Sequence, residues 1–259
     1  MARKQTKVKQ VLEVSTTWQD ALQGFLFWKQ AQGKSPITIN DYKQHIQRFF
    51  NRYPDSWQSP QLKLHLMEYL SDNIKPVTYN LRLIYLRTFL NWCIDENYIT
   101  ENPLKGFKKR KAQSRIVDVP EDTLKALLTL PDQTTFAGLR DYALILFTLD
   151  TGIRPKEALS LTVGDFDLKH LIVTVPADQA KTRVSRTLPI LPPTAEVIGR
   201  LIRVRYPEWD RDVPVFCSCE GTQLSRHTWG DRMEFYSKQL GIKIRPYDLR
   251  HLFSLMYLR

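Results

Sequence analysis

The sequence predicts a mainly α fold with a small β-sheet, arranged as a helical bundle followed by an α+β domain. Three observations carry this. Apolar residues recur at helical spacing almost without interruption to about residue 102. Short apolar runs of strand type appear only after Val163, and LIVTV at 171–175 is the clearest. Between the two patterns lies Asn102-Pro103-Leu104 and then the acid-free stretch KGFKKRKAQSR, which marks a boundary.

The elements follow in order. Ser15-Thr16-Thr17 can cap a helix carrying Trp18, Leu22, Phe25, Leu26 and Trp28. Ser35-Pro36 starts a second, with Ile39, Tyr42, Ile46, Phe49 and Phe50 on one face. Pro60 starts a third, through Leu62, Leu64, Leu66, Tyr69 and Leu70. Pro76 starts a fourth, through Leu81, Ile84, Tyr85, Leu86, Phe89, Leu90 and Trp92. Most of these aromatics are expected in the core of a four-helix bundle. In the second part, Val119-Pro120-Glu121-Asp122 opens a helix with acids where the dipole favours them. LRDYALILFTL (139–149) is apolar enough for a buried helix, with Gly152 as its cap. Pro155 starts the helix PKEALSL. Strands at 171–175 and 185–191 are expected to pair as a hairpin around Ala177–Val184. Helices are expected again at Thr194–Tyr206, His227–Leu240 and from Pro246. The domains are read as a basic tail over 1–10, a helical domain over 11–103, a basic linker over 104–115, and a second domain over 116–259.

Composition narrows the function classes. The chain has 259 residues, 42% hydrophobic and 25% charged, with a net charge of +11. Residues 1–115 carry nineteen Lys/Arg against nine Asp/Glu, and the remainder nineteen against eighteen. Such a lopsided excess points to a polyanionic partner, most simply nucleic acid. No apolar run approaches the roughly eighteen residues of a membrane span. MARKQTKVKQ lacks the apolar segment of a secretory signal. Three cysteines, 93, 217 and 219, make no disulfide framework, and a lone Cys-x-Cys makes no metal site. A reducing, intracellular setting is expected. Lys105, Lys108, Lys109, Arg110 and Lys111 are candidate phosphate-backbone contacts, and so are Arg82 and Arg87 in the bundle.

Three anchors could carry chemistry. Thr151-Gly152-Ile153-Arg154-Pro155-Lys156-Glu157 places Arg154 between two helices, where it can reach a cleft, with Glu157 one turn on. Lys181 sits at the hairpin tip and could deliver a proton; Arg183 and Arg186 stand near it. Tyr247-Asp248-Leu249-Arg250-His251 opens the last helix, and Arg250 offers a planar fork that matches two phosphate oxygens.

TGIRPKEALSL, then a hairpin Lys followed by RTLPI, then YDLRH, in that order and after a basic helical bundle, resemble the tyrosine recombinases, the phage-integrase family. The resemblance spans about residues 12–259. It implies a SAM-like core-binding domain and a DNA breaking-rejoining catalytic domain, which form a C-shaped clamp on double-stranded DNA. It implies a 3′-phosphotyrosyl intermediate, no metal or other cofactor, a homo-tetramer on DNA, and a cytoplasmic, nucleoid-associated location. Arg154 and Arg250 would hold the phosphate, Lys181 would be the general acid, and Glu157 and His251 would support the site. Tyr247 stands where the family most often has His; a phenol can donate to phosphate but is a poor base at neutral pH. The family's later segment, with its nucleophilic tyrosine, is not matched within residues 1–259. Tyr257 is read as a packing residue. The chain is therefore expected to be incomplete at its C-terminus and inactive in cleavage, with an apolar final helix left uncovered. The alternative reading is a non-catalytic DNA-binding regulator or competitor. A type IB topoisomerase-like enzyme fits less well, because the bundle is short and TGIRPKE is a recombinase signature.

Overall fold

Thr17 and Asp20 close a capping box at the first helix: each accepts from the other's backbone N–H. Such a cap is worth about 1 kcal/mol. The computed structural model describes residues 17–113, 119–180 and 184–257, with the side chains of 256 and 257 excepted. The chain divides into two compact units, Met1–Ser114 and Arg115–Arg259.

The first unit holds α1 (Trp18–Ala31), α2 (Pro36–Arg52), α3 (Leu62–Ser71) and α4 (Pro76–Asp95), with a 3-10 turn at Pro54–Ser56. Ser35 caps α2 by accepting from the Thr38 N–H, and Pro36 fills its first turn. Pro60 lies in the turn before α3 rather than inside it, so that helix begins at Leu62. Phe25, Phe49, Phe50, Leu66, Tyr69, Leu83 and Phe89 are buried at the centre. Each such side chain contributes on the order of 2 kcal/mol. The helical spacing placed most core positions correctly, but Trp28, Leu64, Leu81 and Ile84 are exposed. Lys29 is buried instead, with its ammonium 4.3 Å from the Trp28 ring and 5.3 Å from the Phe25 ring.

The expected linker does not start at residue 104. Leu104 is fully buried and Phe107 packs on the helical core. Asn80 on α4 then grips the backbone of Arg110, donating to its carbonyl at 2.9 Å and accepting from its N–H at 2.8 Å. The charge run reads as solvated, but Leu104 just before it and Phe107 within it hold it to the bundle.

In the second unit, α5 (Glu121–Thr129), α6 (Phe136–Thr151) and a one-turn α7 (Pro155–Ala158) precede a three-stranded antiparallel sheet. Its strands are β1 (Phe166–Asp167), β2 (Ile172–Val175) and β3 (Arg186–Pro189), in that spatial order. The expected pairing is present, in a register that sets Val175 opposite Arg186 and Val173 opposite Leu188. The short β1 edge strand escaped the sequence reading because two residues carry no period. Residues at the hairpin tip, including Lys181, lie outside the described residues. α8 (Pro192–Arg203), α9 (Arg226–Leu240) and α10 (Pro246–Tyr257) complete the unit. α7 is shorter than PKEALSL suggested. Leu161 leaves the helix so that its carbonyl accepts from the Val215 N–H at 2.8 Å, and its side chain is buried.

Candidate functional site: an arginine cleft

α6 ends where Gly152 takes a left-handed conformation, φ +60°, that other residues adopt at a cost. A Cβ there would lie 2.2 Å from the Phe253 ring of α10. Glycine therefore permits both the turn and the approach of α10. Thr151 secures the turn by donating its hydroxyl to the Phe147 carbonyl at 2.7 Å. Ile153 is fully buried, so Arg154 emerges next with its direction set.

α10 delivers the second arginine. Asp248 accepts from the Arg245 N–H at 2.8 Å, which caps the helix and explains the acid in YDLRH. Leu249 and Leu252 face the core. Arg250, Phe253 and Ser254, at helical spacings of three and four, line a cleft. Nη1 of Arg250 donates to the Gly152 carbonyl.

The cleft is about 320 Å³ and is lined by residues 151–154, Arg186, Leu188, Arg250, Phe253 and Ser254. Three guanidiniums converge on it. One carboxylate, Glu157, is 2% exposed and holds two of them. Arg154 Nη1 donates to its Oε1 at 3.1 Å, and Arg186 Nη2 to its Oε2 at 2.5 Å. Burial and then the charge of Arg154 push the pKa of Arg250 below the usual arginine value, with Glu157 opposing and Arg186 adding to the shift. Three cations on one anion leave the cleft with a net positive charge, which suits an anion with several oxygens.

The structure thus brings Arg154, Glu157 and Arg250 together. It places Tyr247 elsewhere: this residue is 47% exposed and lines a larger groove of about 880 Å³ along α9, with Arg226, His227 and Arg245. That groove is bigger, but the guanidinium forks converge on the smaller cleft, and the chemistry follows the forks. His251 is exposed and does not line the cleft. Lys181 lies outside the described residues. No tyrosine among the described side chains lines the cleft.

The candidate DNA contacts divide. Lys105, Lys108, Lys109 and Lys111 are exposed. Arg82 is not, with a side chain 11% exposed. It donates to the Tyr69 carbonyl and to Asp72, both at 2.6 Å, and stacks 4.0 Å over the Tyr69 ring. Arg87 donates to the Leu104 and Phe107 carbonyls. Arg110 lies 3.9 Å over the Tyr79 ring and donates to the Leu70 carbonyl at 3.3 Å. Arg82 and Arg87 are occupied within the helical unit, which corrects their reading as phosphate contacts, whereas Arg110 remains exposed. The sequence offers Arg186, with Arg183, as a cation near Lys181 that could share its hairpin role; the structure pairs it with Glu157. Only the register of β2 and β3 brings it to Glu157.

Among the described residues no cluster of three or more His, Cys, Asp or Glu could hold a metal ion. Among them, no helix is long and apolar enough to cross a membrane.

Comparison with known proteins agrees with the geometry. Tyrosine recombinase XerC of Thermodesulfovibrio yellowstonii is 26% identical over 240 residues, covering 87% of this chain and 78% of that protein. Tyrosine recombinase XerD of Vibrio cholerae is 29% identical over 237 residues, covering 86% and 77%. The fold matches that of lambda integrase residues 75–356, solved as a dimer bound to a COC′ core site, with a TM-score of 0.77 at 17% identity over 94% of this chain and 90% of that one. Residues 118–259, more than half of the chain, match the phage integrase family. With the arginine cleft inside that match, the chain belongs to the phage integrase family of tyrosine recombinases.

Proposed function

We propose that this protein is a site-specific recombinase that binds duplex DNA and holds the scissile phosphate between Arg154 and Arg250. The observation that carries this reading is their convergence, with Glu157 beneath Arg154, on one small cleft. In strand cleavage a tyrosine oxygen bonds to phosphorus, and the bond from phosphorus to the 5′-oxygen breaks. The non-bridging oxygens gain charge in the transition state. Paired guanidinium forks stabilise that charge more than the ground state. Lys181 is proposed to protonate the leaving 5′-oxygen. Lys105, Lys108, Lys109 and Lys111 are proposed to follow the DNA backbone. On DNA the protein is proposed to act as a homo-tetramer, in the cytoplasm and associated with the nucleoid.

Residues 1–259 are proposed to hold DNA without cutting it. The alternative is a non-catalytic DNA-binding regulator or competitor that keeps the arginine cleft. A suicide substrate separates the possibilities. The chain 1–259 is expected to form no covalent adduct. An adduct that disappears in Tyr257→Phe would overturn that expectation and assign Tyr257 the nucleophile's role. Binding is tested by titrating salt against duplex DNA. Replacing the four lysines with Gln should reduce the log–log salt slope by about 3–4.

A further inference from the structure

Arg186 opens β3 opposite Val175 and shares a strand face with Leu188, and both line the arginine cleft. Its guanidinium meets both oxygens of Glu157: Nη2 donates to Oε2 at 2.5 Å and Nη1 to Oε1 at 3.4 Å. The same carboxylate takes Arg154 Nη1 at 3.1 Å. A single buried group thus couples a guanidinium from the start of α7 to one from the sheet. The carboxylate is 2% exposed, whereas the Arg154 and Arg186 side chains are 26% and 29% exposed. The anion is sealed, and the two cations reach out of it toward the cleft.

We propose that Arg186 is a positioning residue of the phosphate site: by engaging Glu157 it keeps the Arg154 fork turned toward the cleft. The reasoning is competitive. A buried carboxylate draws whatever donor is nearest, because leaving its oxygens unpaired is costly. With Arg186 on Oε2, Arg154 needs to give Glu157 only one edge. Without Arg186, Oε2 keeps the Arg154 backbone N–H at 3.4 Å, and the Arg154 guanidinium rotates to give that oxygen a second donor, so its other donors leave the cleft. The purpose of the device rests on the phosphate reading above; its geometry does not.

The test uses the full chain with arginine side chains labelled with nitrogen-15, and inorganic phosphate as the probe. Two signals are read: the Nε–H resonance of Arg154 without phosphate, and the apparent phosphate Kd. Arg186→Gln is expected to shift or broaden the Arg154 resonance and to weaken phosphate about tenfold, the loss of one charge-assisted contact. Arg186→Lys, which can engage one oxygen only, is expected to lose about threefold, and it carries the test if the Gln variant does not fold. In a Glu157→Gln background, Arg186→Gln should add less than about twofold, since its route is through the carboxylate. An unchanged Arg154 resonance overturns the proposal. So do fully additive losses, which would mean that Arg186 binds phosphate by itself. The phosphate reading is judged apart: it fails if wild type shows no response to phosphate, or if Arg250→Gln leaves that response intact. The state of Arg154 without phosphate decides the positioning role either way.

Discussion

Among the described residues of the second unit, two buried carboxylates each hold two arginines, and only one of the two stands beside the arginine cleft. Asp141, on α6, is fully buried. Arg140 donates Nε and Nη2 to one of its oxygens, while Arg232 Nε and the Tyr236 hydroxyl donate to the other. What remains of the two arginines is also engaged: Arg140 Nη1 donates to the Cys217 carbonyl and Arg232 Nη2 to the Tyr236 hydroxyl. Glu157 has the same kind of partners, but they stand at the edge of a cleft beside a third guanidinium. The Asp141 cluster ties α6 to α9, and its arginines spend donors on Asp141, the Cys217 carbonyl and the Tyr236 hydroxyl. The open one leaves donors over, and leftover donors are what an anion can use. Neither residue type nor exposure separates the two, since the Arg232 side chain is 35% exposed; the convergence of a third guanidinium on a cleft beside Glu157 does.

The difference can be broken in several ways, taken here from the largest effect down. Asp141→Asn removes the only charge that balances Arg140 and should cost about 3–5 kcal/mol in urea denaturation. Phosphate binding by the variant that remains folded should be unaffected. A loss under about 1 kcal/mol would mean that the cluster is not sealed. The second test is alkaline. Burial, followed by the charge of Asp141, pushes Tyr236 up to about 12 from its ordinary 10. The unfolded chain releases this proton first, so stability is full below pH 10 and falls between about 10 and 12, by on the order of 2 kcal/mol. Tyr236→Phe should flatten that limb relative to wild type; two parallel profiles would count against the assignment.

Third, Glu157→Gln should cost only about 1–2 kcal/mol, because Arg154 and Arg186 are partly exposed and water can take over. Its larger effect should fall on phosphate affinity, which reverses the Asp141→Asn pattern. Fourth, the helical unit holds Arg82 against the Tyr69 carbonyl and a partly exposed Asp72. Arg82→Gln should lower stability by about 1 kcal/mol and leave the salt slope of DNA binding unchanged. The smallest stability change is expected for the four lysines at 105, 108, 109 and 111, within about 0.5 kcal/mol.

Legibility in the sequence followed the range of the interaction. Local signals worked: Ser35-Pro36 and Pro76 marked helix starts, Gly152 a cap, and Arg154 with Glu157 a pair one turn apart. Signals that depend on distant partners failed. Arg82 and Arg87 looked like surface cations, because the carbonyls that capture them belong to other segments. Leu104 and Phe107 were too few to announce that the basic run packs on the bundle.

The sequence by itself determined the fold class, the two-part pattern, the family resemblance and three members of the cleft, because helical period, caps and short motifs are written in neighbouring residues. Tertiary structure alone decided which cations remain available. Whether an arginine ends on a carbonyl, a sealed Asp141 or an open cleft depends on what packs against it from ten to a hundred residues away. Arg186 reaches Glu157 through strand register, and Arg250 reaches Gly152 through the packing of α10 on α6.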